Sequence, residues 1–189
     1  MGLTGSFGSG KSTVSHILKR LGASKVFDCD RLAHEVFRDG HPIGRKIKTL
    51  FKIRGPLDRR RIAEDVFSDP HKRRQLEALV HPYVFERLQS ELEGIKKGIV
   101  IVEVPLLFET GFHRFCDVTV AVLAGKHNIS KRLLAQGFKS GEVRARLQAQ
   151  LSEREKKKRA DLLIRNSGSR QLLIQSTKRT WRKLVSFLN

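Results

Sequence analysis

A glycine-rich segment near the start of the chain constrains its fold more than any other feature. Residues 5–12 read Gly-Ser-Phe-Gly-Ser-Gly-Lys-Ser and match the pattern G-x-x-x-x-G-K-[ST] in full. A short apolar run, 1–4, precedes the segment. Apolar residues at helical spacing follow it and predict a helix that begins near Lys11: Val14, Ile17, Leu18 and Leu21. A strand, a glycine loop and a helix in this order are typical of an α/β domain with a parallel sheet.

The same segment has the chemistry of a site for a nucleoside triphosphate. Glycines let the backbone curl so that successive N–H groups point at phosphate oxygens, and the following helix presents its positive N-terminal end. We expect the Lys11 ammonium to reach the β- and γ-phosphates and the Ser12 hydroxyl to ligate Mg²⁺. The other residues expected to bind the nucleotide are Gly8, Ser9, Gly10 and Thr13. The alternative is a glycine-rich turn that matches by accident, and the strand and helix on either side argue against it.

The rest of the chain alternates between apolar runs and helical patterns. Further strands are predicted at 26–27, 98–104, 118–123 and 160–164. Residues 31–97, between the strands predicted at 26–27 and 98–104, show helical spacing and predict an insertion. A final helix is predicted to bury Thr177, Trp181, Leu184, Val185 and Leu188. The expected domains are a nucleotide-binding core of 1–30, 98–130 and 160–189, a helical domain of 31–97 and a lid of 131–159.

Three carboxylates are candidates for the chemistry around the triphosphate. Asp28 and Asp30 lie two residues apart at the end of a predicted strand, so an extended chain would point both to one side. One could act as general base on an attacking hydroxyl, and the other could help to hold the water shell of Mg²⁺. The alternative for Asp30 is to cap the helix that starts at Arg31. Glu103 interrupts an apolar strand, and we expect it either to contact the water shell of Mg²⁺ or to form a structural ion pair.

A polar, basic segment at 126–160 is the expected source of a catalytic arginine. An arginine from such a lid can neutralise charge on the phosphoryl group that moves. The candidates are Arg132, Arg144 and Arg146. For each of them the alternative is a surface ion pair with a nearby glutamate.

The charge balance allows a polyanionic partner but does not choose its class. Lys and Arg number 38 against 19 Asp and Glu, a net charge of +19, while 39% hydrophobic residues are enough for a core. Nucleic acid, an anionic membrane surface and a small ligand with several phosphates would each fit, as would a basic surface without a partner. The longest apolar run, 98–108, is too short to span a bilayer. With only Cys29 and Cys116 and no visible signal peptide, we expect a cytoplasmic protein.

Taken in order, these segments resemble the dephospho-CoA kinases over nearly the full length of the chain. The matching segments are 2–13, 27–30, 32–33, 57–59, 66–67, 79–82, 104–109, 132–133, 146–150 and 160–161, with Asp117 and Asn166. The Pro-Leu-Leu-Phe-Glu segment at 105–109 and the pair His81-Pro82 are far more selective than the phosphate loop alone.

The resemblance implies a P-loop kinase fold similar to that of the nucleoside-monophosphate kinases, with a three-layer α/β/α core, a parallel sheet, a helical domain for the CoA-like substrate and a lid. It implies transfer of the γ-phosphoryl group of ATP to the ribose 3′-hydroxyl of 3′-dephospho-CoA, with Mg²⁺ as cofactor. In that scheme Asp30 resembles the base on the hydroxyl, and Lys11 and Arg146 assist the transfer. The residues implied to contact the acceptor substrate are Asp30, Arg59, His81, Glu109 and Gln150. Asn166 is similar in position to a residue near the adenine of ATP.

The sequence also departs from the family pattern. Phe7 stands where the family usually has a small aliphatic residue, Glu103 replaces the usual aspartate, and an arginine usual near 135–137 is missing. The alternatives are a kinase of another small acceptor, an inactive relative that keeps a binding role, and a nucleic-acid-binding NTPase. Only the charge favours the last, and a single Trp and a single Tyr offer no obvious platform for stacked bases.

Overall fold

A single five-stranded sheet organises the computed structural model, which describes residues 1–187 apart from the side chains of Phe67 and Ser68. The strand order across the sheet is β2-β3-β1-β4-β5. The strands are β1 (Gly2–Gly5), β2 (Lys25–Asp28), β3 (Val100–Glu103), β4 (Thr119–Leu123) and β5 (Leu162–Arg165). All five predicted strands are confirmed.

Parallel pairing places the carboxyl end of β1 between two neighbours. Leu3 pairs with Glu103 of β3 on one side and with Val120 of β4 on the other, and β4 pairs with β5 in the same sense. Because ligands of such sheets bind outside the carboxyl ends of the strands, the loop after β1 lies at the edge where a ligand is expected.

Helices make up most of the remaining chain. They are α1 (Lys11–Arg20), α2 (Cys29–Glu35), α3 (Pro42–Leu50), α4 (Arg59–Ser68), α5 (Pro70–Glu93), α6 (Lys126–Ala135), α7 (Ser140–Gln148), α8 (Glu153–Arg159) and α9 (Arg170–Ser186). A 3₁₀-helix spans Phe112–Phe115. The helix predicted to begin near Lys11 and the helical character of 31–97 are confirmed.

One face of the sheet is covered by α1 and α9, which also pack against each other. Alternate residues of the strands point to this face and form a dry cluster with both helices: Leu3, Ile101, Val120, Val122, Ile164, Val14, Leu18 and Leu173. Full burial of each such side chain stabilises the fold by about 1.5–3 kcal/mol. On α9, Thr177 and Leu184 are buried and Trp181 packs against the cluster, as predicted. Val185 is only half-buried, and Leu188 lies outside the described residues.

The other face of the sheet is covered by α8, which packs on β1 and β4. Thr4 Oγ1 of β1 and Lys156 Nζ of α8 both donate to the carbonyl of Pro105, at 3.2 and 2.7 Å. Helices cover both faces of the sheet, which explains why the strands read as near-continuous runs of β-branched residues.

The chain divides into two compact units, residues 1–27 with the chain from residue 97 onwards, and residues 28–96. In the second unit α5 packs against α2, α3 and α4. Its buried apolar residues include Val36, Ile47, Ile62, Val84 and Leu88. Asp28, Asp58 and Asp69 cap α2, α4 and α5, each accepting two backbone N–H groups of the first turn.

Two local predictions are wrong. Asp30 is not on extended chain beside Asp28, because α2 begins at Cys29, and it is Asp28 that caps this helix, accepting from the backbone N–H of Asp30 at 2.9 Å. A residue in the first turn of a helix no longer shares a face with one two positions earlier. Pro82 is not a first-turn residue either, since it lies inside α5, where it removes the backbone N–H that would bond to the carbonyl of Ala78.

No helix within residues 1–187 is both long enough and apolar enough to cross a membrane. Cys29 is buried and Cys116 is half-buried, and no disulfide joins them.

Candidate active site

The loop between β1 and α1 is held in a shape that requires glycine. Gly8 and Gly10 have φ angles of 77° and 93°, in the left-handed region that side chains disfavour. A Cβ atom on Gly10 would lie 2.3 Å from Nδ2 of Asn166, and one on Gly8 would lie 2.9 Å from Leu133. The pattern of glycines in the sequence is therefore set by backbone conformation and by close packing at the same time.

Lys11 lies where the loop becomes a helix. Its ammonium donates to the carbonyls of Gly5 and Ser6, at 3.0 and 3.3 Å, so its side chain folds back along the loop. The N-terminal end of α1 adds the positive end of the helix dipole, and its first turn contains no acidic residue. Together these groups make the loop attractive to a phosphate chain.

Ser12 and Glu103 bring two oxygen donors together. The Ser12 hydroxyl donates to Oε2 of Glu103 at 3.4 Å, and Glu103 is buried at the carboxyl end of β3. Hydroxyl and carboxylate oxygens suit a hard divalent cation such as Mg²⁺, so the residues present fit such an ion. Within the described part of the chain, His, Cys, Asp and Glu form no cluster of three or more that could hold a metal by themselves. A cation here would therefore depend on the nucleotide for further ligands.

Asn166, predicted near the adenine, is a structural anchor of the loop. Its Nδ2 donates to the carbonyl of Ser9 at 2.7 Å, and its backbone N–H donates to Leu123 at 2.7 Å. The Arg132 guanidinium donates to the carbonyl and to Oδ1 of Asn166, at 2.7 and 3.3 Å. A contact of Asn166 with adenine stays a prediction, because these bonds already engage its side chain.

Phe7 connects the loop to the segment predicted as a lid. The guanidinium carbon of Arg146 lies 4.5 Å from the centre of the Phe7 ring and 5.4 Å from that of Phe138. The Phe7 backbone N–H donates to Oε1 of Gln150 at 2.9 Å, and Arg146 forms an ion pair with Glu142 at 2.8 Å. The structure thus places two predicted site residues, Arg146 and Gln150, against the phosphate loop. Arg144 is exposed.

Glu109, predicted to contact substrate, is bound within the protein. Its Oε1 accepts from the backbone N–H of Leu151 at 2.7 Å and lies 3.3 Å from Nζ of Lys156. Lys156 is fully buried, and burial lowers the pKa of its ammonium while Glu109 opposes that shift. Sequence reasoning missed Lys156 because it stands in the run Lys-Lys-Lys-Arg at 156–159, which is typical of a solvated face.

A cavity of about 330 Å³ opens beside the phosphate loop, on the surface of α1 and α9. It is lined by residues along the length of α1 and by the first residue of α9: Ser12, Thr13, His16, Ile17, Arg20 and Arg170. Sequence reasoning did not single out Arg20 or Arg170, since the pairing of α1 with α9 is not visible from local patterns.

In the unit of residues 28–96, a second group of charged residues surrounds His34. A guanidinium nitrogen of Arg59 contacts Nε2 of His34, and Arg59 also lies over the ring of Phe37 at 5.7 Å. Desolvation and the Arg59 charge lower the pKa of His34, against the opposing charges of Asp30 and Asp28. The predicted residues Asp28, Asp30 and Arg59 are therefore neighbours, and His34 is the member of the group that sequence reasoning missed.

His81 is exposed on α5, and the neighbouring charge that acts on it is that of Glu77. Two residues further along α5, the Tyr83 hydroxyl donates to Glu35 at 2.8 Å and the Tyr83 ring packs edge-on against His41. A substrate contact of His81 stays a prediction.

Comparison with known proteins assigns the family. The family model described as dephospho-CoA kinase matches residues 1–171. A dephospho-CoA kinase of Moorella thermoacetica is 39% identical over an alignment of 198 residues, which covers 100% of this chain and 93% of the relative.

Two solved structures confirm the fold. A crystal structure of a Thermus thermophilus protein has a TM-score of 0.85 at 38% identity and covers 100% of this chain and 96% of its own. A shikimate kinase from Bacteroides thetaiotaomicron shares the fold alone, with a TM-score of 0.57 at 18% identity and coverage of 97% and 96%. The predicted P-loop kinase fold with a parallel sheet is confirmed. By the match over residues 1–171 and the full-length relative, this chain belongs to the dephospho-CoA kinase family.

Proposed function

We propose that this chain transfers the γ-phosphoryl group of ATP to the ribose 3′-hydroxyl of 3′-dephospho-CoA, giving CoA and ADP, the last step of coenzyme A synthesis. The observation that carries the proposal is the family match over residues 1–171, which contains both the phosphate loop and the charged group around His34. A cytoplasmic location belongs to the same proposal, and the two cysteines without a disulfide suit a reducing compartment.

The phosphate loop would bind and orient the donor. Backbone N–H groups of the loop and the Lys11 ammonium would exchange their present partners for oxygens of the β- and γ-phosphates. The bond between the γ-phosphorus and the bridging oxygen of ADP breaks as the ribose oxygen bonds to the same phosphorus, and the ADP oxygen keeps the electron pair. Cationic donors already in place stabilise the charge that develops on these oxygens without reorganising.

Asp30 is the base in this proposal. Its carboxylate would take the proton of the 3′-hydroxyl as the new O–P bond forms, so that a neutral alcohol becomes a competent nucleophile. Its position in the first turn of α2, exposed and close to Arg59 and His34, suits contact with an anionic substrate. Arg59 would bind a phosphate of the acceptor, with His34 holding its guanidinium in place.

Mg²⁺ belongs to the proposal through Ser12 and Glu103, which fit it. Ser12 would ligate the ion and Glu103 would hold a water of its shell, since its carboxylate already lies 3.4 Å from the Ser12 hydroxyl. Bound with ATP, the ion would supply positive charge to the β- and γ-phosphates. Asp28 is less suited to that shell, because one of its oxygens already accepts two backbone N–H groups.

The experiment is a coupled assay of ADP release with ATP and Mg²⁺, in which dephospho-CoA, adenosine, AMP and a short RNA are offered separately. We expect turnover with dephospho-CoA alone and CoA as the product, identified by mass. Turnover with another small acceptor would contradict the choice of substrate while leaving the kinase core intact. The matched control is Lys11→Ala, which should lower ADP release by about two to three orders of magnitude with every acceptor if the phosphate loop is the donor site.

A nucleic-acid-stimulated NTPase is the second candidate, and the distribution of charge favours it. Residues 1–27 and 97–189 carry 23 Lys and Arg against 7 Asp and Glu, whereas residues 28–96 carry 15 against 12. ATP hydrolysis that rises with the RNA, and RNA binding that weakens steeply with salt, would support this candidate. ADP release at the same rate with and without RNA would contradict this second candidate.

A further inference from the structure

The guanidinium of Arg146 lies over the rings of Phe7 and Phe138, and we refer to these two rings as the aromatic clamp. The guanidinium carbon lies 4.5 Å from the centre of the first ring and 5.4 Å from that of the second. The two rings themselves meet edge to face, with centres 5.3 Å apart and an interplanar angle of 89°. A planar cation over aromatic faces at these distances is attracted by the negative charge of the π surface.

The aromatic clamp is anchored on both sides. Phe7 belongs to the phosphate loop, and Phe138 lies between α6 and α7. Both rings, together with Leu147, pack against one dry cluster formed by Ala124, Ile129, Leu133 and Val143. The hydrogen bond from the Phe7 N–H to Gln150 adds a polar tie between the loop and the chain after α7. The clamp therefore has a fixed position relative to the loop.

Of the three candidate arginines of the predicted lid, one is held at the phosphate loop by aromatic rings. Arg132 donates to Asn166, and Arg144 is exposed, whereas Arg146 stacks on a ring that is itself part of the loop. An ion pair with Glu142, one turn back on the same helix, also holds the guanidinium. An arginine confined in this way need not search among rotamers when the donor binds.

We propose that Phe7 and Phe138 are positioning residues, which hold the Arg146 guanidinium beside the phosphate loop where it can neutralise the phosphoryl group in transfer. The inference rests on the proposed function, because it takes Arg146 as the arginine that contacts that group. It also gives a physical reason for Phe7, the large residue at a loop position where a small aliphatic one would leave the guanidinium without a ring to stack on. The rings touch no reacting atom and act through Arg146 alone.

The test is a double-mutant cycle between Phe7 and Arg146, measured as kcat and KM for ATP and dephospho-CoA. Phe7→Leu keeps the apolar packing and removes the π face, and we expect it to lower kcat about fivefold to twentyfold with both KM values unchanged. Phe138→Leu is expected to act in the same direction and more weakly, since its ring lies farther from the guanidinium. Phe7→Tyr keeps the π face and should restore kcat to within about twofold of the wild type.

Coupling is the decisive result. In the Arg146→Gln background, Phe7→Leu should cause no further loss of kcat, because the residue through which it acts is already gone. A full additional loss in that background would overturn the inference, and so would equal kcat values for Phe7→Leu and the wild type. An Arg146→Gln enzyme with normal kcat would instead contradict the role of Arg146 in the proposed function, which is a different failure.

Two measurements exclude a merely structural effect. Thermal unfolding of each variant shows whether the fold is kept, and Phe138→Leu carries the test if Phe7→Leu does not fold. Phe187→Leu is the matched control, since it makes the same change at an exposed phenylalanine at the end of α9, and it should leave kcat unchanged.

Discussion

Lys11 is the single residue on which the donor site depends most. Lys11→Ala removes a charged donor that now bonds to the carbonyls of Gly5 and Ser6 and that would reach the triphosphate. We expect kcat/KM for ATP to fall by about two to three orders of magnitude, the usual cost of one electrostatic donor in such a site. Lys19→Ala on the same helix is the control, because its ammonium bonds to Ala23 and Ser24 at the far end. Near-normal turnover in Lys11→Ala would contradict the assignment of the phosphate loop.

Substitutions of Asp30 and Asp28 test which of these two carboxylates acts as the general base, a question that the sequence alone left open. Asp30→Asn removes the proposed base without removing a nucleotide contact, so kcat should fall strongly while the Kd for ATP stays within about twofold. Asp28→Asn preserves the cap of α2, because asparagine caps helices as well as aspartate does, and it should leave kcat nearly unchanged. Calorimetric titration with ATP and steady-state kinetics on both variants measure the difference. A large loss of ATP affinity in Asp30→Asn would instead indicate that the Asp30 carboxylate contacts the metal ion.

His34 makes the acceptor side sensitive to pH. Desolvation and Arg59 lower the pKa of His34 below its ordinary 6.5, so the ring stays neutral and can accept from Arg59 at neutral pH. As the pH falls through that lowered value the ring gains a proton, repels Arg59 and releases it. The KM for dephospho-CoA should therefore rise on the acid side in the wild type. His34→Gln keeps an acceptor without a titrating group and should flatten that rise; an unchanged acid limb would show that another group controls it.

At the scale of single elements, Lys156 and Glu109 link α8 to the chain after β3. Glu109→Gln leaves a fully buried ammonium with the Pro105 carbonyl and without its carboxylate. We expect the free energy of unfolding to fall by about 3 kcal/mol, as measured by urea titration, because removing one partner of a buried pair leaves the other charge uncompensated. Lys156→Met in the same background should recover part of that loss. If Glu109→Gln instead raises the KM for dephospho-CoA at unchanged stability, the side chain contacts substrate as the family resemblance implies.

Elements were predictable from the sequence wherever a local pattern controls them. The β-branched runs at 98–104 and 118–123 became β3 and β4, and the glycine loop became the turn that Gly8 and Gly10 require. The two wrong predictions, for Asp30 and Pro82, share a cause. A helix can begin or continue for reasons that the local sequence pattern does not show. Asp28 caps a helix that starts one residue after β2, and packing of α5 against α2, α3 and α4 carries that helix through Pro82.

Long-range contacts explain what the sequence did not show of the candidate site. The side chains of Asn166, Lys156 and Glu109 bond to residues 157, 51 and 42 positions away, and no local spacing encodes such bonds. The stacking of Arg146 on Phe7 joins α7 to the phosphate loop, two segments that lie far apart in the sequence. Residue types and order identified the chemistry, whereas tertiary packing decided which of the candidates bind one another.

At the scale of the whole molecule, the positive charge is concentrated in the unit that contains the phosphate loop. That unit has 16 more basic than acidic residues, against 3 for residues 28–96. Several of its few carboxylates already bind other residues of the protein, Glu103 with Ser12, Glu109 with Lys156 and Asp161 with Thr119. Helices α1 and α9, which pack together beside the loop, contain no acidic residue at all. On α9 the pairs Lys178–Arg182 and Arg179–Lys183 place like charges one turn apart. Like charges at this spacing are mildly destabilising, so we expect a functional advantage that offsets their cost.

Electrostatic attraction of ATP by the basic residues of this unit would provide such an advantage. A concentrated positive field raises the rate at which a polyanion reaches its site, and dissolved salt screens that field over about 10 Å at 0.1 M. We expect kcat/KM for ATP to fall about threefold to tenfold between roughly 20 and 300 mM KCl, with a smaller change in kcat. A variant with glutamine at 178, 179, 182 and 183 should show a lower kcat/KM at low salt and a flatter dependence on salt. The matched variant with glutamine at 45, 46, 52 and 54 removes four exposed charges from the other unit and should keep the steeper dependence for ATP. Equal slopes in the two variants would mean that only the net charge matters, and a flat wild-type profile would mean that the basic surface does not act on ATP.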